Sequence, residues 1–506
     1  MNDVHPIDLA IMITYLVIIT VVGVVLSRRI HDARDYFLAG RTLGWVIIGL
    51  SIIGTNVSAQ SYVGAAGGAY KVGIAQANFE WIGAIPAMIL AALVFIPVYW
   101  RAGVYSIPEY MGLRYTQHVR VLTALIASVF SVFAIAVSMF AIAITLETYL
   151  GWPMWVGILV TGGVVGTYSI SGGLAAVAFT DALQVVIMFI GGAAIFWLGM
   201  NELGGFGEFT HRLIMDNPDH LSAWLPADHP EFPWVGVLLG LGFVLSPAYW
   251  CGGQAILQRT LGARSEWDAK ASMIFAAFAK TTVPLLIVFP GLLALVMYAD
   301  IEYPDMALPW VIKEMLPPGL SGLMFIAIIA ALQSSLDSGL NSTSLLITRD
   351  IRGVLFPKRD PAKDLIVGRA FTLAILLLGM CGAPLIGDLG GIFLAVQVLL
   401  SLFQGPSMAL LLLGVGTRWA TPASGLATLL TGVPLAGLLT WLGWNMLYVA
   451  FVSFVWSLAV MIVVSRLTPR HEDAHLDRLV FRFRGAAPRG GARPDPTLAT
   501  EGPADA

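Results

Sequence analysis

Two apolar stretches, GLSIIGTNVSAQSYVGAAGG at 49–68 and LSPAYWCGGQ at 245–254, carry helix-breaking residues in their middle. The first contains Gly54 and Asn56, and the second contains Pro247. Membrane transport proteins form binding sites where helices are interrupted at corresponding positions in two halves of the chain. Either stretch alone fits small residues packed between helices equally well. Because the two occur as a matched pair, they favour a binding site inside the membrane.

The composition is that of a membrane protein. Of the 506 residues, 58% are hydrophobic and 12% are charged, and the mean hydropathy is +0.81. Soluble domains carry about 25% charged residues, which excludes an ordinary soluble enzyme. The net charge of −3 and the absence of a basic stripe argue against nucleic-acid binding. Two cysteines are too few for a disulfide framework, and the apolar runs are too long for a membrane β-barrel.

The apolar runs predict an all-α integral membrane protein of about thirteen transmembrane helices, each near the ~20 residues that a bilayer requires. Almost all of the 28 Lys and Arg residues then fall in alternate loops or in the tail, with Arg259 counted in the loop after residue 255. The positive-inside rule therefore predicts a multi-pass inner-membrane protein with its N-terminus outside and its C-terminus in the cytoplasm. The predicted spans are 8–27, 43–69, 76–100, 119–147, 152–170, 174–200, 234–255, 269–299, 322–347, 366–385, 388–417, 421–441 and 445–467.

The two interrupted spans lie five spans apart, and an odd offset inverts the second set of helices relative to the first. This spacing predicts an inverted five-plus-five repeat with flanking helices and no soluble domain. We expect a largely disordered tail, with LDRLVFRFRG at 476–485 lying on the inner membrane surface. The predicted parts are an N-terminal helix and inner loop at 1–42, a first repeat at 43–200, an outer loop with room for a small surface helix at 201–233, a second repeat at 234–417, two C-terminal helices at 418–467 and a cytoplasmic tail at 468–506.

Four ionisable residues stand out inside the predicted spans: Glu80, Asp181, Lys280 and Asp337. Such a group at the bilayer centre costs roughly 2.5–3.5 kcal/mol, which makes each a functional candidate. Each could instead belong to a structural ion pair, and Asp181 could lie near the inner interface. All eight histidines fall in loops or termini, so a haem or metal centre in the bilayer is a poor interpretation.

The ninth span is rich in hydroxyl groups. Ser334 and Ser335 are adjacent, and Asp337 follows two residues later. Sodium is a hard cation that takes hydroxyl and carbonyl oxygens, including carbonyls freed where a helix is interrupted. Isolated serines more commonly bond back to their own helix. An adjacent pair followed by an acid favours a cation site.

At these residues the chain resembles the sodium:solute symporter family, and within it the sodium/glucose cotransporters. The resemblance implies the inverted-repeat fold of the leucine transporter and sodium as the coupling ion. Taken with their spacing, the matching motifs cover roughly residues 8–467. They are DYFLAGRTLGW at 35–45, SGGLAAVAFTDALQ at 171–184, AYWCGGQAILQRTLGA at 248–263 and SSLDSGLNSTSLLITRDI at 334–351.

The resemblance also implies which residues bind the ion. The family's sodium site, carried over by motif, consists of backbone carbonyls of Gly54, Val57 and Ala331 and hydroxyls of Ser334 and Ser335. Some relatives, notably sialic-acid symporters, hold another sodium further inward. Its matching positions are Asp181, Ser334, Asp337 and Ser338, with Asp337 in place of a serine.

The solute site is implied in the same way. Sugar cotransporters bind pyranose hydroxyls with polar side chains at mid-membrane, and a tyrosine paired with an asparagine closes over the sugar from inside. The matching residues are Glu80, Lys280 and Gln397 for the polar contacts and Asn56 with Tyr249 for the closing pair. Ser61 and Ser246 stand where bacterial sugar transporters can have glutamine and asparagine, and both are shorter.

The sequence therefore predicts a sodium-coupled symporter for a monosaccharide or similar polyol, working by alternating access. Its partners would be the solute, sodium and the lipid bilayer, with no other cofactor and no obligatory protein partner. The alternative is a symporter for an organic anion such as sialic acid, whose carboxylate would want an arginine, and the span 119–147 has no basic residue after Arg120. A channel, a sensor and a membrane enzyme fit less well, because the chain shows no continuous polar lining, no signalling domain and no catalytic cluster.

Overall fold

The computed structural model describes residues 5–28, 30–57, 60–298, 301, 304–358, 360–389 and 392–481. Over those residues the chain is almost entirely helical, with two isolated bridges, Leu43 to Ala263 and Leu225 to Pro233, and no sheet. The α-helices of at least six residues are Pro6–Ser27, Ala33–Leu38, Trp45–Asn56, Ala65–Val72, Ile85–Leu90, Ile96–Ala102, Ile107–Arg114, Gln117–Leu150, Met154–Leu203, Phe206–Asp216, Ser246–Gly252, Gln254–Leu261, Glu266–Lys280, Phe289–Met297, Ala307–Met315, Leu320–Leu345, Asp364–Gly382, Ile392–Gly416, Pro422–Trp441 and Met446–Leu467. Wider π-helical turns at Gln60–Gly64, Ala91–Phe95, Val237–Leu245 and Leu346–Ile351 continue several of them.

In the described part of the chain, ten helices are long and apolar enough to cross a membrane, or eleven if a pair bent by 51° counts as one span. The predicted count of thirteen is therefore not confirmed. Met154–Leu203 has 50 residues, about 75 Å at 1.5 Å per residue, far more than the ~30 Å of a bilayer core. It turns at Gly173, whose φ of 52° and close approach to the Tyr36 backbone both require glycine. Trp45–Asn56, with 12 residues, is too short to span alone.

The helix Leu320–Leu345, which we call the serine helix, lies at the centre of the bundle. Every residue from Met324 to Ser334 is buried, and an apolar helix covered on all sides is typical of a core position. It packs against Met154–Leu203, Gln117–Leu150 and Pro6–Ser27. The predicted ion-binding serines therefore lie in the interior of the protein.

Two segments outside the bundle pack onto it. The outer loop forms a short helix, Phe206–Asp216, as the sequence allowed. The start of the tail binds protein: the Tyr110 hydroxyl donates to the Leu479 carbonyl at 2.7 Å, and the Phe481 amide donates to the Val415 carbonyl at 2.8 Å. Leu476 and Leu479 are buried, so the described part of LDRLVFRFRG packs on the protein, and its expected place on the inner membrane surface stays a prediction. Residues 482–506 of the tail lie outside the described residues.

Candidate functional site

Both predicted interruptions are present. The first broken helix is Trp45–Asn56 followed by the turn Gln60–Gly64, and Val57 between them has a non-helical ψ of 77°. The second broken helix is Trp234–Gly252 followed by Gln254–Leu261, with Gly253 extended at ψ 112°. Helix ends expose backbone groups that have no partner within the helix. Each break therefore offers polar backbone atoms inside an apolar bundle.

A cavity of about 250 Å³ lies between the two broken helices and their neighbours. It contains most of the predicted solute-binding residues, together with Thr55 and Ser335 near the predicted sodium site. The side chain of Gln397 lies outside the described part of the structure. The predicted residues that line the cavity are Asn56, Ser61, Glu80, Ser246, Tyr249 and Lys280.

Glu80 and Lys280 reach the cavity from helix ends. Glu80 lies in the turn after the 3-10 segment Gly73–Phe79, and Lys280 is the last residue of Glu266–Lys280, just before the 51° bend. The Lys280 ammonium donates to the Glu80 carboxylate, and both side chains are buried. The same ammonium lies 5.9 Å from the centre of the Trp250 ring. The structure thus contains the ion pair that the sequence left as an alternative, and places that pair on the cavity wall.

Asn56 and Tyr249 connect the two broken helices. The Asn56 amide donates to the Tyr249 hydroxyl at 3.5 Å, a long hydrogen bond. The Asn56 side-chain oxygen, Oδ1, is buried and has no hydrogen-bond partner. The pairing expected from the resemblance is therefore present in the geometry, and it leaves one buried acceptor of Asn56 without a donor.

Gln404 is a cavity residue that the sequence did not identify. It lies on Ile392–Gly416, seven residues after Gln397, which is close to two helical turns and the same face. Its side-chain oxygen, Oε1, is buried and also lacks a partner. The helix is apolar over most of its length. That it contains two glutamines is unusual, and this is the feature of the sequence that could have pointed to Gln404.

The predicted sodium ligands converge where the first broken helix meets the serine helix. A Cβ atom at Gly54 would lie 3.3 Å from the Ser334 hydroxyl and 2.9 Å from a methyl of Val185, so glycine is what allows the close approach. The Ser335 hydroxyl donates to the Thr55 carbonyl at 3.3 Å and lies 3.4 Å from the Ala331 carbonyl. The structure therefore brings Gly54, Ala331, Ser334 and Ser335 together, with Val57 at the adjoining break.

Asp181 orients this region from the other side. Its carboxylate accepts hydrogen bonds from Ser334 and Ser51, each at 2.5 Å, and from Thr55 at 3.3 Å. A serine hydroxyl that donates its proton keeps two lone pairs, so Ser334 remains able to bind a cation.

Arg259 is not in a cytoplasmic loop, which corrects the assignment used in counting basic residues. It lies on the second broken helix with 1% of its surface exposed, and its guanidinium is 2.9 Å from Asp181. The same group donates to the Ser51 hydroxyl at 2.6 Å and to Ser338. A buried carboxylate is stabilised by a nearby positive charge. Because Asp181 and Asp337 were both predicted to be buried, the sequence could have been searched for such a charge, and Arg259 would have been a candidate.

Asp337 completes this cluster. It accepts a hydrogen bond from the buried Tyr168 hydroxyl at 2.8 Å and another from Ser338 at 3.2 Å. The four positions matched to a second sodium are thus neighbours, and the Arg259 guanidinium lies among them. We call this group the arginine cluster: Ser51, Tyr168, Asp181, Arg259, Ser334, Asp337 and Ser338.

Comparison with known proteins agrees with this geometry. The sodium:solute symporter family model matches residues 36–432. A sodium/glucose cotransporter of Vibrio parahaemolyticus is 32% identical over 459 residues, covering 85% of this chain and 84% of that protein. A sodium/myo-inositol cotransporter of Canis lupus familiaris is 30% identical over 457 residues, covering 81% of this chain and 63% of its own length.

A solved structure of a Na⁺-coupled sialic acid symporter in a substrate-bound outward-open state superposes with a TM-score of 0.83 at 21% identity. The match covers 92% of this chain and 99% of the other, which shows a common fold. The family model covers most of the chain, and the interrupted helices, cavity and serine helix are arranged as its motifs imply. The chain is a multi-pass membrane transporter that belongs to the sodium:solute symporter family.

Proposed function

We propose that this symporter uses sodium to import a neutral, polyhydroxylated solute, a monosaccharide or similar polyol, by alternating access. One observation carries the proposal. The charged side chains among the described cavity residues, Glu80 and Lys280, are paired with each other, and two buried oxygens in the lining, on Asn56 and Gln404, have no partner. The described lining of the cavity therefore carries no unbalanced side-chain charge, and it includes polar residues that suit a neutral, polar solute.

Solute hydroxyls suit such a lining. A hydroxyl donates one hydrogen bond and accepts others, whereas an ionised carboxylate only accepts. The carboxylate of an organic anion would compete with Glu80 for Lys280 and would add a buried charge that no described lining residue balances. A sugar can bridge the Glu80–Lys280 pair without separating its charges. This is why we rank a neutral solute above sialic acid or another anion.

Aromatic rings complete the solute site. Phe79, Tyr249 and Trp250 all line the cavity, and the Tyr249 and Trp250 rings meet edge to face at 5.3 Å. Such faces can cover the apolar side of a sugar ring. Ser61 and Ser246 leave more room than longer amides would, and Gln404 supplies the amide that the resemblance assigned to Gln397.

Sodium would bind between the first broken helix and the serine helix, to carbonyls of Gly54, Val57 and Ala331 and hydroxyls of Ser334 and Ser335. Ser335 also lines the solute cavity, so the two sites are adjacent. Sodium bound there holds the first broken helix in place, and with it Asn56 of the closing pair. By linkage, sodium should raise solute affinity and solute should raise sodium affinity. The membrane potential adds about 2.3 kcal/mol per charge per 100 mV.

The topology we propose has thirteen spans arranged as an inverted repeat, residues 43–200 and 234–417, as in the leucine transporter. Thirteen spans result when three are added to the ten long apolar helices: the pair bent by 51° counts as one span, Met154–Leu203 counts as two spans that meet at Gly173, and Trp45–Asn56 counts as one span with the turn that follows its break. The N-terminus would be outside and the C-terminus inside the cell. Cysteine labelling from either side, at introduced positions in loops 201–233 and 356–363, tests this orientation.

The function is tested with the purified full chain in proteoliposomes. An inward sodium gradient is imposed, and uptake of labelled glucose, galactose, myo-inositol and sialic acid is compared with a potassium gradient of equal size. We expect sodium-dependent accumulation of at least one of the three neutral solutes. Accumulation of sialic acid alone would contradict the choice of a neutral solute, and uptake that ignores sodium would contradict symport.

A further inference from the structure

The helix Pro6–Ser27 packs on the bundle along one stripe. Its buried residues recur every three or four positions and are Asp8, Met12, Tyr15, Ile19 and Gly23. Tyr15 brings a hydroxyl into this stripe at mid-span, and only 5% of its surface is exposed. We propose that Tyr15 is a positioning residue for the sodium site, which holds the helices of the site in register without binding the ion itself. This inference rests on the proposed sodium-coupled transport.

The Tyr15 hydroxyl bridges two other helices. It donates to the side-chain oxygen of Gln333 at 3.1 Å and accepts a hydrogen bond from the side-chain amide of Gln184 at 2.9 Å. Gln333 lies on the serine helix and Gln184 on Met154–Leu203, and both are almost completely buried. A hydroxyl donates one hydrogen bond and accepts others, so one oxygen can serve both amides. We call this contact the tyrosine bridge.

The tyrosine bridge lies within one helical turn of the proposed sodium site. Gln333 directly precedes the proposed ligand Ser334 on the serine helix. Gln184 follows Asp181 by three residues, and the Asp181 carboxylate accepts a hydrogen bond from Ser334 at 2.5 Å. Residues three or four apart share a helix face, which makes the bridge a second contact beside the first. The bridge therefore fixes how the serine helix is rotated against Met154–Leu203, and with it the direction of the Ser334 hydroxyl.

The helix Pro6–Ser27 holds the serine helix at a second place, near its start. The Asp8 carboxylate accepts hydrogen bonds from the backbone amides of Gly319 and Gly322, at 2.6 and 2.9 Å. A carboxylate at a helix N-terminus satisfies amides that have no partner within the helix. Gly322 lies eleven residues before Gln333, about three helical turns away. Asp8 therefore anchors the same two helices at a point remote from the ion ligands, which makes it a natural control.

The inference is tested by the sodium dependence of uptake in proteoliposomes that contain the full chain with Tyr15→Phe. Phenylalanine fills the same space and breaks both hydrogen bonds. We expect the half-saturating sodium concentration to rise about five- to tenfold, because the loss of a buried hydrogen bond shifts an equilibrium by that order. The maximal rate, and the solute concentration that gives half of it at saturating sodium, should stay within about twofold of wild type, because saturating sodium refills a weakened site.

A second variant and two controls separate positioning from general stability. Gln333→Met breaks the tyrosine bridge from its other end and should give the same shift. Asp8→Ala loosens the same helix away from the ligands, and Tyr110→Phe removes a buried hydroxyl that bonds the tail. Both controls should lower the melting temperature and leave the half-saturating sodium concentration at the wild-type value. Sodium-22 equilibrium binding to the purified chains needs no solute and should show the same order of affinities.

An unchanged sodium affinity in folded Tyr15→Phe would overturn the inference. An equal loss of sodium affinity in Asp8→Ala would also overturn it, because any loosening of the first helix would then have the same effect. If Tyr15→Phe does not fold, Gln333→Met decides by the same criteria. Uptake by the wild-type chain that ignores sodium would instead overturn the proposed function.

Discussion

The solute cavity and the arginine cluster each contain a buried ion pair, yet the two pairs have different surroundings. Glu80 and Lys280 line a cavity of about 250 Å³ together with other polar residues such as Asn56, Ser61 and Gln404. Asp181 and Arg259 are enclosed by serines, threonine and a second carboxylate, and nearly every contact is a hydrogen bond to protein. A pair on a cavity wall can exchange partners with a solute. An enclosed pair is suited to holding helices and ions in fixed positions.

The two ion pairs should differ most in how much their loss lowers the free energy of unfolding. Asp181→Asn leaves the Arg259 guanidinium buried without its closest carboxylate, and breaking an enclosed pair costs about 3–5 kcal/mol. Glu80→Gln leaves Lys280 beside a cavity that water can enter, so its cost should be well below that of Asp181→Asn. Thermal unfolding of the detergent-solubilised chains checks this, with the exposed-loop variant Asp228→Asn as control. Equal losses for the two variants would remove the distinction between the pairs.

Solute affinity should be affected more by changes at the Glu80–Lys280 pair than by changes at the Asp181–Arg259 pair. Glu80→Gln and Lys280→Met should each weaken solute binding by about 1.5–3 kcal/mol, roughly tenfold or more, if each makes a charge-assisted hydrogen bond to the solute. Solute dependence of uptake at saturating sodium measures this. If the pair is only structural, the double variant will recover the stability that the single variants lose, while solute affinity stays at the wild-type value.

The sodium concentration needed for uptake should be set by residues of the serine helix. Ser335→Ala removes one proposed oxygen ligand, and we expect the half-saturating sodium concentration to rise about tenfold, near 1.4 kcal/mol. Ser342→Ala, on the same helix, is the matched control, because its hydroxyl bonds back to Gly339 at 3.2 Å. Unchanged sodium dependence in Ser335→Ala, or an equal change in both variants, would rule out the proposed site.

The smallest expected effect on solute affinity concerns Gln404 and Gln397, two glutamines of one helix. Gln404→Ala should weaken solute binding by about 0.5–1.5 kcal/mol, because it removes one neutral hydrogen bond. Gln397→Ala tests the residue that the resemblance assigned to the solute, and it should weaken binding by a similar amount if that assignment is right. Competition binding with the transported solute compares the two variants. Wild-type binding in Gln404→Ala would remove Gln404 from the solute site, and wild-type binding in Gln397→Ala would remove Gln397.

The breaks in the helices could be predicted from sequence because the two stretches with glycine, proline and small polar residues at mid-span occur as a matched pair, whereas either stretch alone fits packing between helices. Glu80 and Lys280 could be singled out because they are charged residues inside apolar spans, and the resemblance assigned them, with Asn56 and Tyr249, to the solute site. Gln404 was missed because the pattern of a uniformly apolar helix does not show which of its faces points toward a cavity. Arg259 was missed because hydropathy places an arginine at a helix end in the nearest loop, especially before Arg264 and Lys270.

The packing of the tail was also missed, for a related reason. A short amphipathic segment after the last span can bind a membrane surface or a protein groove equally well. The segment is hydrogen-bonded to Tyr110 and Val415, which are far apart in sequence, and its Leu476 and Leu479 are buried. The partner of such a segment follows from the tertiary fold and not from its own pattern.

The central claim is that the solute is neutral and is driven by sodium. It is tested most directly by measuring, in the same proteoliposomes, the charge, the sodium-22 and the labelled solute that move together. A neutral solute predicts that the number of charges equals the number of sodium ions for each solute molecule. One charge fewer than sodium ions per solute would show that the solute is an anion and would contradict the claim.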